Sequence, residues 1–269
     1  MLPSFLITFR ETLEAALVVG IILTYLTKTH QLHFKKYVWQ GLGIGVAASI
    51  LLAFGIEALF GGLEGQIEKI FEGVLMFVTA GFLTWMILWI HKQKDVVKNL
   101  KKQVSTYAKK GQSLGIVTLI AMSVFREGTE TVLYLNASSV IGMTGQMMGA
   151  IVGIATALII GYALFHWALK VRLDVVFNIT SFFLILFAAG LIGHAMHEFQ
   201  ELGIVPVYAF DPLWNISSIL NHNDTFGSFM RTLFGYTSTP TLVEVTSYSS
   251  YIVIVLMLQK LITRKIILK

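Results

Sequence analysis

The sequence predicts an all-α polytopic membrane protein of seven spans, two inverted three-helix repeats plus a seventh helix. Three observations lead there. Of its 269 residues, 55% are hydrophobic and 13% charged, about half the charge of a typical soluble domain, which carries about 25%. Apolar runs of the length that crosses a bilayer, about 20 residues, recur seven times. Two of those runs contain the same charged motif, Phe9-Arg10-Glu11-Thr12-Leu13-Glu14 and Phe125-Arg126-Glu127-Gly128-Thr129-Glu130.

The spans fall at residues 2–27, 37–60, 69–90, 113–140, 146–169, 177–200 and 246–263. The first has no basic leading segment and no small-residue cleavage site, and it carries one of the motifs. It reads as a retained helix rather than a signal peptide. Basic residues then set the orientation, because cytoplasmic loops collect Lys and Arg. Of the 20, all but Arg10, Arg126, Lys69 and Arg231 fall in the 1–2, 3–4 and 5–6 connections or at the C-terminal end. The N-terminus is therefore expected outside and the C-terminus in the cytoplasm. The lysines of the 3–4 connection, Lys92 to Lys110, read as a topology and lipid-headgroup signal, not as a nucleic-acid surface. The opposite face collects acids: Glu64, Glu68, Glu198, Glu201, Asp211, Asp224 and Glu244. Such a face would concentrate cations, although the avoidance of Lys and Arg by outer loops accounts for most of the pattern unaided.

Arg10 and Arg126 stand 116 residues apart, and each opens a group of three spans. Thr79-Ala80-Gly81-Phe82-Leu83 of span 3 also resembles Ala188-Ala189-Gly190-Leu191-Ile192 of span 6. Three is odd, so the second group must be inverted relative to the first, an arrangement that puts substrate sites near the midplane between repeats. The units are residues 1–112, 113–204 and 205–269, the last holding an outer connection and span 7. Within that connection, Asp211-Pro212-Leu213-Trp214-Asn215 is expected to fold back as a short helix.

The motifs carry the chemistry. Residues i, i+1 and i+4 share one face of a helix, so Arg10, Glu11 and Glu14 project together, as do Arg126, Glu127 and Glu130. An ionisable group in hydrocarbon costs several kcal/mol. Each arginine neutralises one acid of its own motif, which leaves one net negative charge per copy and two for an apposed pair. That balance suits a multivalent cation, held by hard carboxylate oxygens. The competing reading is a structural Arg–Glu lock between helices, but a lock needs one acid per base and both copies supply two.

A second cluster, His194, His197, Glu198 and Glu201, forms one stripe at the outer end of span 6. Imidazole with carboxylate suits iron, zinc or manganese. An amphipathic helix end at the water interface gives the same pattern, and both readings stay open. Glu57, Glu72 and Asp211 are secondary candidates for the route. The chain has no Cys, which removes disulfides, thiolate sites and Cys nucleophiles, and it has no Walker-A motif for ATP.

With these residues in hand, the sequence resembles the oxidase-dependent iron permease family, which comprises the fungal high-affinity iron permeases and the bacterial ferrous-iron-uptake permeases. Their hallmark is Arg-Glu-Gly-x-Glu in spans 1 and 4. Arg126-Glu127-Gly128-Thr129-Glu130 matches it in full; the first copy has Thr12 where Gly is usual. The resemblance covers the whole chain. It implies a multi-pass protein of the plasma or inner membrane that takes up iron, as Fe(III) delivered by an extracytoplasmic iron-oxidising partner, with iron as substrate and no permanently bound cofactor. It implies iron-binding roles for Glu11, Glu14, Glu127 and Glu130, with Arg10 and Arg126 balancing charge. Relatives tied to lead keep the metal open. A membrane-embedded di-iron oxidase and a carrier for an organic cation are the other readings.

Overall fold

The computed structural model describes residues 2–60, 65–89, 100, 102–108, 110–140, 146–166, 173–205, 211–218, 227, 230, 231 and 234–267. Most of the Lys92–Lys110 connection lies outside these residues, as do Glu64, Lys170, Arg172 and Asp224. Long helices dominate, in chain order α1 (Leu2–Lys28), α2 (Lys35–Phe60), α3 (Gln66–Trp89), α4 (Ser113–Val140), α5 (Gln146–His166), α6 (Leu173–Glu201) and α7 (Leu242–Ile267). One 3-10 turn, Leu32–Phe34, joins α1 to α2. No strand occurs among the described residues, apart from an isolated bridge between Pro212 and Thr241. The expected stretches become helices whose ends shift by a few residues.

Five of these helices, α2, α3, α5, α6 and α7, are long and apolar enough to cross a membrane. α1 and α4 match them in length, at 27 and 28 residues, and differ by carrying an Arg and two Glu within the helix, away from its ends. The outward faces are apolar: Leu51, Phe54, Ile159 and Met257 are each more than 60% exposed. An apolar surface of that extent is at home in lipid rather than water.

Backbone proximity fixes how the helices pair. α1 packs on α5, α2 on α4 and α3 on α6, while α1 crosses α4 at the centre and α7 leans on α6. Small residues make the closest approaches, as expected where packing rather than hydrophobic burial drives helix association. A Cβ on Gly45 of α2 would stand 2.8 Å from the carbonyl oxygen of Ala121 on α4, and one on Gly153 of α5 would stand 2.6 Å from that of Phe5 on α1. Phe5 and Ala121 are separated by the same 116 residues as the two motif arginines. The two glycines thus make equivalent contacts in the two halves. Thr8 Oγ1 adds a hydrogen bond to the carbonyl of Ala150 at 3.1 Å, which joins the start of α1 to that of α5.

One expectation fails. Residues 211–216 form an extended strap, not a short helix. Leu213 N–H donates to the Pro240 carbonyl and Ile216 N–H to that of Ser238, while Asn215 Oδ1 accepts from Ser217 N–H. Pro212 offers no N–H, and the Asx-type turn at Asn215 competes with helix formation. The chain before α7 also runs deep. Gly235, at φ +64°, approaches Gly190 of α6 so closely that a Cβ on Gly190 would stand 2.7 Å from its Cα. Gly190 precedes the end of α6 by eleven residues, about 16 Å along the axis. Irregular backbone at such depth is tolerated when it is buried in protein.

Candidate intramembrane carboxylate site

The site forms where α1 crosses α4. Helix periodicity projects each motif's Arg and two Glu to one side, and the crossing turns those sides toward each other. Carboxylate oxygens of Glu11, Glu14 and Glu127 lie within 4.8 Å of one another. Arg10 Nη2 is 3.0 Å from Glu14 Oε1, and Nη1 is 3.7 Å from Glu11 Oε1. The guanidinium meets both acids as charges rather than through aligned hydrogen bonds. Arg126 Nε donates to Glu130 Oε1 at 3.1 Å and stands 4.0 Å from Glu127 Oε1. Both Glu11 oxygens and Glu127 Oε2 are buried and accept no hydrogen bond from the described residues. Four acids against two bases leave an excess of negative charge, concentrated on three converging carboxylates.

The copies are not equivalent. Arg10 is fully buried, whereas the Arg126 side chain is 38% exposed and lies over the Trp85 ring of α3, 5.4 Å from its centroid. Glu130 is not one of the three converging donors; Arg126 is on one of its oxygens and the Tyr134 hydroxyl is 3.4 Å from the other. Tyr134 was missed by the sequence reading. It sits one turn beyond Glu130 in an apolar run, where a tyrosine looks like packing.

A cavity of about 1300 Å³ opens from the site. Glu11, Thr12, Ser49, Glu127 and Thr131 supply polar groups at its wall, Gly128 lies beside them, and mostly aliphatic and aromatic side chains of α1, α2, α4 and α5 line the rest. It extends past Gly20 and Leu23 toward Trp39 and Phe165, which lie near the end of α1, the start of α2 and the end of α5. Those are the ends that carry Lys28, Lys35 and Lys36.

The stripe on α6 is arranged differently from a converging ligand set. His197 Nε2 is 3.2 Å from Glu201 Oε1, and its Nδ1 is 3.3 Å from Glu244 Oε1 on α7. Opposite ring nitrogens therefore face opposite acids. Glu201 pairs with Lys69 of α3, and His194 Nε2 contacts Arg231 Nη2. Among the described residues, only Glu11, Glu14 and Glu127 bring three such donors together. Glu244 also accepts from Thr241 N–H at 2.7 Å, and its own N–H donates to Thr241 Oγ1 at 3.3 Å, a reciprocal cap on α7. These contacts dock α7 and α3 on the end of α6. Glu198 and Glu72 are half-buried at that end, whereas Glu57, near the end of α2, and Asp211, on the strap, are exposed. None of these four joins the α1–α4 site.

Long apolar helices around an internal carboxylate cluster define a multi-pass membrane protein. The chain belongs to the Iron permease FTR1 family, which it matches over residues 1–268. It is 34% identical over 265 residues to the ferrous iron permease EfeU of Yersinia pestis, covering 96% of this chain and 93% of that protein. It is 32% identical over 261 residues to the ferrous iron permease EfeU of Escherichia coli O6:H1 (strain CFT073), covering 94% and 93%. No solved structure gives a significant match. Family and helices together make it a multi-pass protein of the cell membrane.

Proposed function

We propose that this protein is an iron permease in which Glu11, Glu14 and Glu127 hold the ion at the α1–α4 crossing, with Glu130 as the fourth acid of the site. The observation that carries this reading is the convergence of three carboxylates, drawn from both motifs, within 4.8 Å at the head of the cavity. Intramembrane acids of this density are retained for ion handling. Arg10 and Arg126 hold the acids in place and compete with the ion for them, which favours release.

Seven spans in an inverted-repeat arrangement fit this function. The pairings α1–α5 and α2–α4 exchange when each helix is replaced by its counterpart in the other repeat, and α1–α4 and α3–α6 map onto themselves. With the N-terminus outside, the cavity runs from the site toward the cytoplasm, an inward-facing route. The acidic outer face, including His194, His197, Glu198 and Glu201, gathers iron, with Glu72, Glu57 and Asp211 along the approach. Glu201 takes part once Lys69 leaves it. Iron arrives as Fe(III) from an extracytoplasmic iron-oxidising partner, a hard cation suited to all-oxygen ligands.

Uptake of radioactive iron by vesicles containing the purified protein tests the reading. A Glu14→Ala, Glu130→Ala double variant that inserts normally is expected to lose uptake; retention of the original rate would falsify the assignment. Iron supplied as ferric citrate, or as ferrous iron held reduced by ascorbate, distinguishes the valence. Competition by a metal panel that includes lead tests the ion.

A further inference from the structure

We propose that the open side of the cavity, between α2 and α5, holds an acyl chain of an anionic phospholipid whose headgroup rests on Lys35 and Lys36. The proposal concerns the apolar side of the cavity and does not depend on which ion the acids hold. α1 and α4 form the floor of this slot, with α2 packed on α4 and α5 packed on α1. On the other flank of the crossing, α3 packs on α6. No such packing joins α2 to α5 among the described residues, so the cavity opens sideways between them. Trp39, Ile50 and Phe54 line one wall and Leu158, Ile159 and Tyr162 the other, and each is more than half exposed. Trp39 and Phe54 are fifteen residues apart, about 22 Å of helix. The opening therefore runs through most of a hydrocarbon core of about 30 Å.

Two observations choose the occupant. The first is the size and lining of the slot. Away from the acids its wall is mostly aliphatic and aromatic, and an apolar opening at bilayer depth meets lipid chains, not water. At about 1300 Å³ it exceeds the roughly 300–1,000 Å³ of a pocket for a drug-sized ligand. An acyl chain can lie along the apolar side while the polar groups stay free for an ion. The second observation is charge. Trp39, Leu42, Val46, Ser49 and Ala53 line the cavity at helical spacing, and Lys35 begins the same stripe one turn before Trp39. Lys36 stands beside it, three residues before Trp39. Lys35 is half-buried and Lys36 exposed. Neither forms an ion pair among the described residues, and Lys36 Nζ lies 4.9 Å from the Tyr37 ring centroid. Basic side chains at the end of a groove between membrane helices recognise anionic headgroups. The lipid thus supplies the wall that α2 and α5 leave open, with its headgroup at the lysines and its tail running toward Ser49.

Photolabelling tests the proposal. A phosphatidylglycerol with a diazirine midway along one acyl chain is reconstituted with the full chain and irradiated, and the labelled peptides are identified by mass spectrometry. Iron is absent throughout, so the result is independent of the permease reading. Labelling is expected around Val46 of α2 and Ile159 of α5. Unlabelled phosphatidylglycerol is expected to compete at least about fivefold better than phosphatidylcholine, the scale of one basic residue beside an anionic headgroup. Lys35→Gln, Lys36→Gln is expected to abolish that preference, while Lys260→Gln on α7 leaves it intact. Val46→Trp, which fills the slot, is expected to lower labelling of α5, and Met257→Trp on the exposed face of α7 is not. Label spread evenly over the exposed faces, α7 included, would mean surrounding lipid only and would overturn the proposal. Equal competition by the two lipids would overturn it as well. The chain has no Cys, so a disulfide-linked dimer of Val46→Cys, with the probe excluded from the slot, would assign the slot to a second copy instead. The mapping and the competition use the wild type, so they decide the matter even if a variant fails to insert.

Discussion

Gly128 of α4 lies against Ser49 of α2, so close that a Cβ on the glycine would stand 1.9 Å from the serine hydroxyl oxygen. Both residues line the cavity beside Glu127. In the other half of the molecule the counterpart of Gly128 is Thr12, and the register that relates Gly45 to Gly153 relates Ser49 to Ala157, which is fully buried. One copy thus combines Gly with Ser, and the corresponding positions of the other are Thr and Ala.

Gly128→Ala is therefore expected to reduce uptake by displacing Glu127, and a second change, Ser49→Ala, is expected to restore much of it. The clash falls on a side-chain oxygen that the second change removes. Uptake by the single and double variants checks this, with membrane abundance measured in parallel. No rescue would show that the backbone, rather than Ser49, limits the site.

The converging acids should be individually sensitive. Glu11→Gln and Glu127→Gln are each expected to weaken iron uptake by at least about tenfold, since even outer-shell partners of a metal site typically contribute that much. Glutamine keeps the shape and removes the charge. Uptake measured against iron concentration separates weaker binding from slower passage.

The arginines should differ from each other. Arg10 is fully enclosed between Glu11 and Glu14, so Arg10→Ala leaves buried carboxylates uncompensated, a loss of about 3–5 kcal/mol. Arg126 is partly exposed, and Arg126→Ala is expected to lower stability less. Thermal unfolding in detergent compares them; equal losses would contradict the difference in burial.

The strap before α7 depends on two glycines in contact. Gly235 adopts a positive φ, and a Cβ there would stand 2.5 Å from the Gly190 Cα. Gly235→Ala combines that clash with left-handed strain of about 1–2 kcal/mol, and it should loosen the strap over α6. Because the chain has no Cys, a single Trp214→Cys reporter gives a background-free labelling rate. The rate is expected to rise when Gly235→Ala is added.

Much of this arrangement was legible in the sequence because its signals are local. Apolar length marks a helix, i and i+4 spacing puts Glu11 and Glu14 on one face, and the duplicated Arg-Glu-x-x-Glu pairs α1 with α4 as counterparts. The reading failed where partners come from afar. His194, His197, Glu198 and Glu201 formed one plausible ligand stripe, yet Lys69, Arg231 and Glu244 engage three of its four members across helices. The strap at 211–216 looked helical because its true partners, Ser238 and Pro240, lie more than twenty residues away.

By itself the sequence determined the membrane class, the long helices and the two sets of three charges that hydrocarbon would otherwise reject. Tertiary structure decided how those charges are shared, because a carboxylate's role depends on which groups lie within a few ångströms of it. Crossing α1 over α4 brought Glu11, Glu14 and Glu127 together. The same packing buried Arg10 and left Arg126 partly exposed. Two motifs nearly equal on paper became, through their neighbours, unequal halves of one site.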